Sequence, residues 1–588
     1  DANLDATRVG PTGLIEKGRE NLILQSNTLG TGWTPNNLSV TSGAAGYDGS
    51  SNAFELKATS GTLMSLQQTI SDFTGVATFS VFAKSGPSDK AKFLRISLGE
   101  DDESSAAANS RAYFNLTDDA TQTIGASAIL AKIEAVGGDG WKRCSLTVNV
   151  PANHTVDSIK LFIADSLSSQ DADVGDIIFL QDFQYEVGLV ATDVITTTSA
   201  AATAGIKEDE PRFDYPLAGG APSLLLEPER TNLITVSEYF GGSSWTDSSS
   251  GVTVVNNDAV SPEGVENAAK LVIDNTISSG AEFRVDTSLN PSVTNGKSYA
   301  FSVFAKAAEF NQIQLDVSNA KFGANCHVTA TLTGDGSITA GSDVTSSSIE
   351  NYGNGWYRIT MVGTVTGSTG ATALIFRLQV DGINGTGDGS KGIHVYGAQF
   401  EEGASATSYI PTHGTADTRS ADNVAALDTS GFSFGTTCTI FYEGVINKAT
   451  SLFVRPITMF GSVVSNNDRF LLFAHTFSSG TYKLEAQHKT DSSGSQESES
   501  ITKFGLTVGA KVKCAAVISG TSFKFFVNGA LATDNTSNSG GTATITADSI
   551  FQSLDLSNAL ADQNHAVGSV ILWDSALTDQ QCIDLTTL

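Results

Sequence analysis

The hexapeptide FSVFAK stands at 79–84 and again, unchanged, at 301–306. Six identical residues so far apart invite a comparison of the chain with itself, and further anchors follow in the same order on both sides. Leu14-Ile15-Glu16, Arg19, Asn21-Leu22-Ile23 and Trp33 return as Leu225-Leu226-Glu227, Arg230, Asn232-Leu233-Ile234 and Trp245. The pattern G-x-G-W-x-R occupies 138–143 and 353–358, and Q-[YF]-E-x-G-x-x-A-T closes each copy at 184–192 and 399–407. Ordered anchors whose spacing drifts by a few residues are what loop insertions leave in a duplicated domain.

Within each copy side chains alternate along short apolar runs. Tyr357, Ile359 and Met361 share one face, and the first copy places Lys142, Cys144 and Leu146 there. Cys144 stands where Ile359 stands, so it reads as a small buried hydrophobe rather than a reactive thiol. Strands separated by Gly-, Asn-, Asp- and Ser-rich turns, without helical periodicity, imply an all-β chain of antiparallel jelly-roll sandwiches. The expected layout is an N-terminal segment 1–13, a first module 14–195, a linker 196–223, a second module 224–411, a linker 412–430 and a third domain 431–588. In the third domain Val512, Cys514, Ala516 and Ile518 alternate, then Phe523, Phe525 and Val527, before Asn528-Gly529 turns the chain back. After Trp573 a short helix of one or two turns is expected to end the chain.

A chain of 588 residues exceeds what one core usually spans. Its hydrophobic fraction of 40% fills several cores, and a charged fraction of only 16% argues against long surface helices and charge-driven disorder. The net charge of -29 repels phosphate backbones and anionic bilayers, so neither nucleic acid nor a membrane is an expected partner. No apolar run approaches the roughly 18 residues of a spanning helix. An Asp in first place, without a basic and apolar leader, is expected of a processed or partial chain.

Residues that could carry chemistry are scattered. The five cysteines lack metal-ligand spacing, and Cys438 with Cys582 is the pair that could meet as a disulfide. His154, His327, His394, His413, His475, His488 and His565 stand singly, with no HExxH, H-x-H or G-x-S-x-G pattern beside them, so no enzyme is expected. His394 reads as a strand-face residue. Glu100-Asp101-Asp102-Glu103 and the group Asp171, Asp173 and Asp176 read as solvated loops, and Gly241-Gly242 and Gly540-Gly541 as turns. Trp33, Trp141, Trp245 and Trp356 recur at matching positions and read as core, as does Trp573. Tyr239, Phe240 and Tyr352 read as exposed loop aromatics able to stack on sugars, although no ligand-binding residue follows from sequence.

Two resemblances extend this reading. FKFFVNGALA at 523–532 and VGSVILWDSALTDQQCIDL at 567–585 resemble the concanavalin A-like or laminin-G-like sandwich. A hydrolase of that class would carry paired carboxylates on one strand, and 431–588 contains no such pattern, so the resemblance implies binding or structure. ATRVGPTGLIE at 6–16, PRFDYPLAGGAPSLLLEPERTNLI at 211–234 and SYIPTHGTADTRSAD at 408–422 resemble joint segments of tailed-bacteriophage tail-fibre and appendage proteins. The repeats look like the carbohydrate-binding-module-like jelly rolls of that family.

In that family the first and second joint segments follow closely, so the first repeat reads as an extra module inserted between them. The resemblance implies a virion-surface appendage and a homo-oligomer, with a trimer the expected assembly, and other virion proteins and a host-surface glycan as partners. It also implies a structural calcium near the last strand of a module, with Asp182 as the residue to watch. A capsid head fibre or decoration, and a bacterial surface adhesin or surface-layer component, are the rival expectations.

Overall fold

The computed structural model describes residues 4–29, 32–61, 64–86, 92–99, 110–125, 127–150, 156–168, 172–217, 220–242, 244–247, 251–274, 284–287, 290–379, 388–422, 427–428, 437–446, 454–460, 469–478, 481–492, 495–520, 522–539, 553–555 and 565–588. FSVFAK lies within a strand in both repeats, Gly75–Ser85 and Ser298–Ala307. Alternation sends Phe79, Val81 and Ala83 into one core and Phe301, Val303 and Ala305 into the other. Val81 is in register with Cys144 and Val303 with Ile359, so the thiol does replace the isoleucine inside the core. Burial there pushes its pKa well above the ordinary thiol value.

Each module closes its core between two six-stranded antiparallel sheets. In the second module one sheet runs Trp245–Asp247, Arg284–Thr287, Leu374–Gln379, Gln312–Val317, His327–Thr331 and Ser337–Ala340. Its counterpart in the first runs, in the same order, Trp33–Asn36, Ser65–Phe73, Val156–Ala164, Phe93–Gly99, Ser110–Asn115 and Thr121–Ile124. The four recurrent tryptophans are all buried, as expected of core residues.

The repeated polar residues fasten the chain ends. Asn21 donates Nδ2 to the carbonyls of Phe183 and Ile195 at 3.0 and 2.7 Å, and Asn232 donates to Ala398 and Ile410 at 3.1 and 2.9 Å. Glu186 accepts from Gln184 and from the amide and hydroxyl of Thr192, as Glu401 does from Gln399 and Thr407. Buried carboxylates satisfied in this way hold one conformation, which accounts for the recurrence of the closing motif without any site chemistry.

The leading anchors do not stay with their own repeats. Ile15 joins Phe304, Trp356, Tyr396 and Tyr409 of the second module, and its amide donates to the Pro262 carbonyl at 2.9 Å. Leu226, the copy of Ile15, enters the core of the third domain, where Ser223–Leu226 pairs with His565–Trp573. The chain therefore divides into one unit of Asp1–Thr7, Leu14–Glu210 and Thr231–Asp417, and another of Arg8–Gly13, Pro211–Arg230 and Thr418–Leu588. The boundary read from sequence at 13/14 coincides with a division between these units, whereas the piece Pro211–Arg230 of the second unit runs past the boundary read at 223/224.

The second unit contains two seven-stranded sheets. Its joint segments are clasped by Glu227, whose Oε2 takes Arg212 at 2.9 Å and Arg419 at 3.1 Å, while Asp422 also binds Arg212. Val9 donates its amide to Asp214 at 2.7 Å and accepts from the Tyr215 amide at 3.0 Å. Asn528 and Gly529 take φ of 48° and 79°, the left-handed pair that a tight hairpin between Ser522–Val527 and Ala530–Leu531 requires. A capping box of Thr578 and Gln581 starts the closing helix Asp579–Thr586. Cys438 and Cys582 do not pair: all five thiols are free and buried. Cys438 faces the sandwich core with Ile440 and Tyr442, whereas Cys582 packs with Phe441 on the opposite face of that strand.

Candidate functional site

The two modules agree on their inward-facing residues and diverge on an outward one. Leu94, Ile96 and Leu98 match Ile313, Leu315 and Val317 against the cores. Between them, on the opposite face, the second module sets an array of amides and hydroxyls. Gln312 donates Nε2 to Thr331 Oγ1 and Gln314 donates to Thr329 Oγ1, each at 3.1 Å. In register beyond those threonines stand the exposed Ser337 and Thr339 of the neighbouring strand.

Strand geometry sets the two rows about 6.6 Å apart. The cross-strand bonds fix both amides, so Gln312 and Gln314 hold their carbonyl oxygens, and the threonines their hydroxyls, in one arrangement. These six residues carry no charge, in a chain of net charge -29. Asp316 and His327 border them as the next register pair. Amides and hydroxyls on a rigid sheet can exchange hydrogen bonds with a neutral, hydroxyl-rich ligand.

In the first module the same register position holds Arg95, flanked by Phe162 and Tyr113. The guanidinium lies 4.2 Å from the Phe162 ring and 5.9 Å from that of Tyr113, and all three residues are buried. That face is packed, whereas the Gln–Thr rows are half-buried or open.

Asp182 occupies a bulge in Ile177–Val187 at φ 51°, matching Gly397 of the second module at φ 59°. Its Oδ2 accepts from the Tyr47 hydroxyl at 2.7 Å, its Oδ1 is buried without a hydrogen bond, and burial with Asp48 nearby raises its pKa. Calcium requires six to eight oxygens. Among the described residues no group of three or more His, Cys, Asp or Glu side chains gathers.

The other singled-out residues have structural positions. Phe240, read as exposed, is 1% exposed and packs on Trp245 at 5.0 Å. Tyr352, read as a loop residue, lies on the strand Val344–Gly353 with its ring edge-on to Phe304. Tyr239 is half-buried. Trp573 is half-buried against the helix-covered face of the third domain. His394, on Gly392–Glu402, pairs with Asp258 at 2.8 Å. Asp173 and Asp176 close a turn through their own amides. Glu100 to Glu103, Asp171, His154 and Gly540-Gly541 lie outside the described residues.

No family model matches the chain, and no curated protein matches it. Some solved structures match the chain at low identity and low TM-score. The CBM40 module of Ruminococcus gnavus IT-sialidase bound to alpha2,3 sialyllactose is 12% identical, covering 28% of this chain and 96% of its own, with a TM-score of 0.22. The N-terminal CBM22-1–CBM22-2 tandem of Paenibacillus barcinonensis Xyn10C is 12% identical, covering 65% of this chain and 98% of its own, with a TM-score of 0.22. Mouse laminin alpha1 chain domains LG4-5 are 10% identical, covering 49% of this chain and 88% of their own, with a TM-score of 0.17.

Proposed function

We propose that the chain is a non-enzymatic, glycan-binding component of a phage virion appendage, a tail fibre or spike, which reads host-surface sugars through the outward sheet face of the second module. The observation that supports this reading is the divergence of that face between two modules with matching cores. A duplicated domain kept only for packing has no reason to hold a fixed, uncharged array of Gln312, Gln314, Thr329 and Thr331 on its outer surface. Individual hydrogen-bonded sugar contacts are weak, and a trimer carrying three such faces on the virion would gain avidity by multivalency.

The test is binding of the full chain to cells of candidate hosts and to their purified surface polysaccharides, compared with the Gln312→Ala/Gln314→Ala double variant. Saturable binding that the double variant weakens about tenfold or more, with melting unchanged, is the expected result. Absence of binding to every permissive host would leave a structural head fibre or decoration as the better reading. Equal binding by the variant would remove this face from the account.

A further inference from the structure

Within the first unit, a cavity of ≈ 230 Å³ lies where the leading segment meets both modules. It is larger than the roughly 150 Å³ engineered space that holds a benzene ring. Lys17 lies at its wall, with Nζ 2.9 Å from Glu238 and 2.7 Å from Glu263. Burial alone would lower the ammonium's pKa, but the two carboxylates outweigh it and hold Lys17 charged. This buried layer therefore already contains two carboxylates for one cation. The cavity's rim includes the exposed Leu4, Gly414 and Thr415, which leaves it open to solvent.

The cavity's surplus of carboxylates lacks a countercharge. Asp5 and Asp417, both half-buried, line it and act on one another, and neither is paired with a cation among the described residues. Arg19 is the cation in the wall besides Lys17, set against Asp5, Glu20, Glu186, Glu263 and Asp417. A second, independent feature is Asn267, 2% exposed, which donates Nδ2 to Glu263 at 3.0 Å and has an Oδ1 with no hydrogen bond. A desolvated acceptor without a donor, beside like charges without a cation, is the complement of a positively charged donor. No three metal-ligating side chains converge among the described residues, so the acceptors suit a ligand of several atoms better than a bare ion.

We propose that this cavity binds a small organic ammonium, with Asp5, Asp417 and Asn267 taking its N–H donors. The site is separate from the Gln–Thr face of the second module, and its ligand would touch the leading segment and both modules at once. Calorimetric titration of the full chain at pH 7.5 tests it, using glucosamine and putrescine as ammonium probes and N-acetylglucosamine as a neutral one. Saturable binding of either amine, none of the acetylated sugar, and a loss of about tenfold or more in Asp417→Asn and in Asp5→Asn is the expected result. A glucosamine-only response identifies an amino sugar, and a putrescine-only response identifies an aliphatic amine. Each variant's folding is checked by its melting temperature, which relief of the like charges keeps at or above the parent value. No binding of either amine, equal binding of N-acetylglucosamine, or unchanged binding in both variants overturns the proposal. Loss of amine binding in Gln312→Ala/Gln314→Ala does so too, by moving the event to the other face.

Discussion

Asp417 holds a proton that an ordinary aspartate has released. Burial and the neighbouring Asp5 push its carboxyl up to about 6, against a weaker pull from the Thr415 hydroxyl. An unfolded aspartate titrates near about 3.9. Between those values the folded chain retains a proton that the unfolded chain has lost, so this group's contribution to stability falls as pH rises, and its cost is complete above about 6. Asp5 is raised as well, by burial and by Glu208. Asp417→Asn should melt with the parent near pH 4 and above it, by about 1 °C or more, at pH 7.5; a gap that stays constant with pH would refute the assignment. Sequence disclosed some residues better than others. Cys144 was legible because its copy is Ile359, and a position that tolerates both is a core position. Phe240 was not, since nothing in Tyr239-Phe240 tells which ring turns inward. Asp182 drew attention as an acid near a last strand, but the property it shares with its copy Gly397 is a left-handed backbone, which no single sequence displays.

At the scale of elements, a short leading strand completes a neighbour rather than its own repeat. Leu226 is 3% exposed in the core of the third domain, and Ile15 is 4% exposed against the aromatic cluster of the second module. A carboxylate at either position would be buried without a partner, at a cost of about 3 kcal/mol or more. Leu226→Asp should therefore open the second unit to limited proteolysis first, with cleavage within 431–588, while Ile15→Asp should open the second module. The same cleavage pattern from both variants would count against the exchange. Repeat matching established that these segments are equivalent, yet it could not say where they pack, because the four-residue apolar strand Ser223–Leu226 fits any open sheet edge and its partner His565–Trp573 lies hundreds of residues away. The sandwich strands were legible for the opposite reason. Alternation in 512–518 and 523–527 fixes both faces locally and Asn528-Gly529 fixes the next turn, and the structure pairs Lys511–Ser519 with Ser522–Val527 and folds the latter back onto Ala530–Leu531.

On the scale of the whole molecule, the second unit is assembled from three separate pieces of chain, and the chain leaves it for 14–210 and again for 231–417. The joint phrases that resembled appendage proteins are the pieces that meet there. Arg212 and Arg419 share Glu227, Asp422 donates its amide to the Glu227 carbonyl at 2.9 Å, and Val9 bonds to Asp214 and Tyr215. The sequence showed these phrases as recurring composition at linkers, and their common destination stayed hidden because ion pairs between distant segments leave no local periodicity. A domain that borrows an inner strand and a buried ionic clasp from outside 431–588 cannot close on its own. Expressed alone, 431–588 lacks Ser223–Leu226, leaves an edge of His565–Trp573 unpaired, and carries none of the clasp residues Arg212, Glu227, Arg419 and Asp422. The expected outcome is a fragment without a cooperative melt, prone to edge pairing. A chain of 8–13, 211–230 and 418–588, with short Gly/Ser linkers in place of the two excursions, restores strand and clasp and should melt in one transition by circular dichroism. If 431–588 alone melts as sharply and at the same temperature as that three-piece chain, the joint segments are ornaments on an autonomous domain, and its fold does not depend on them.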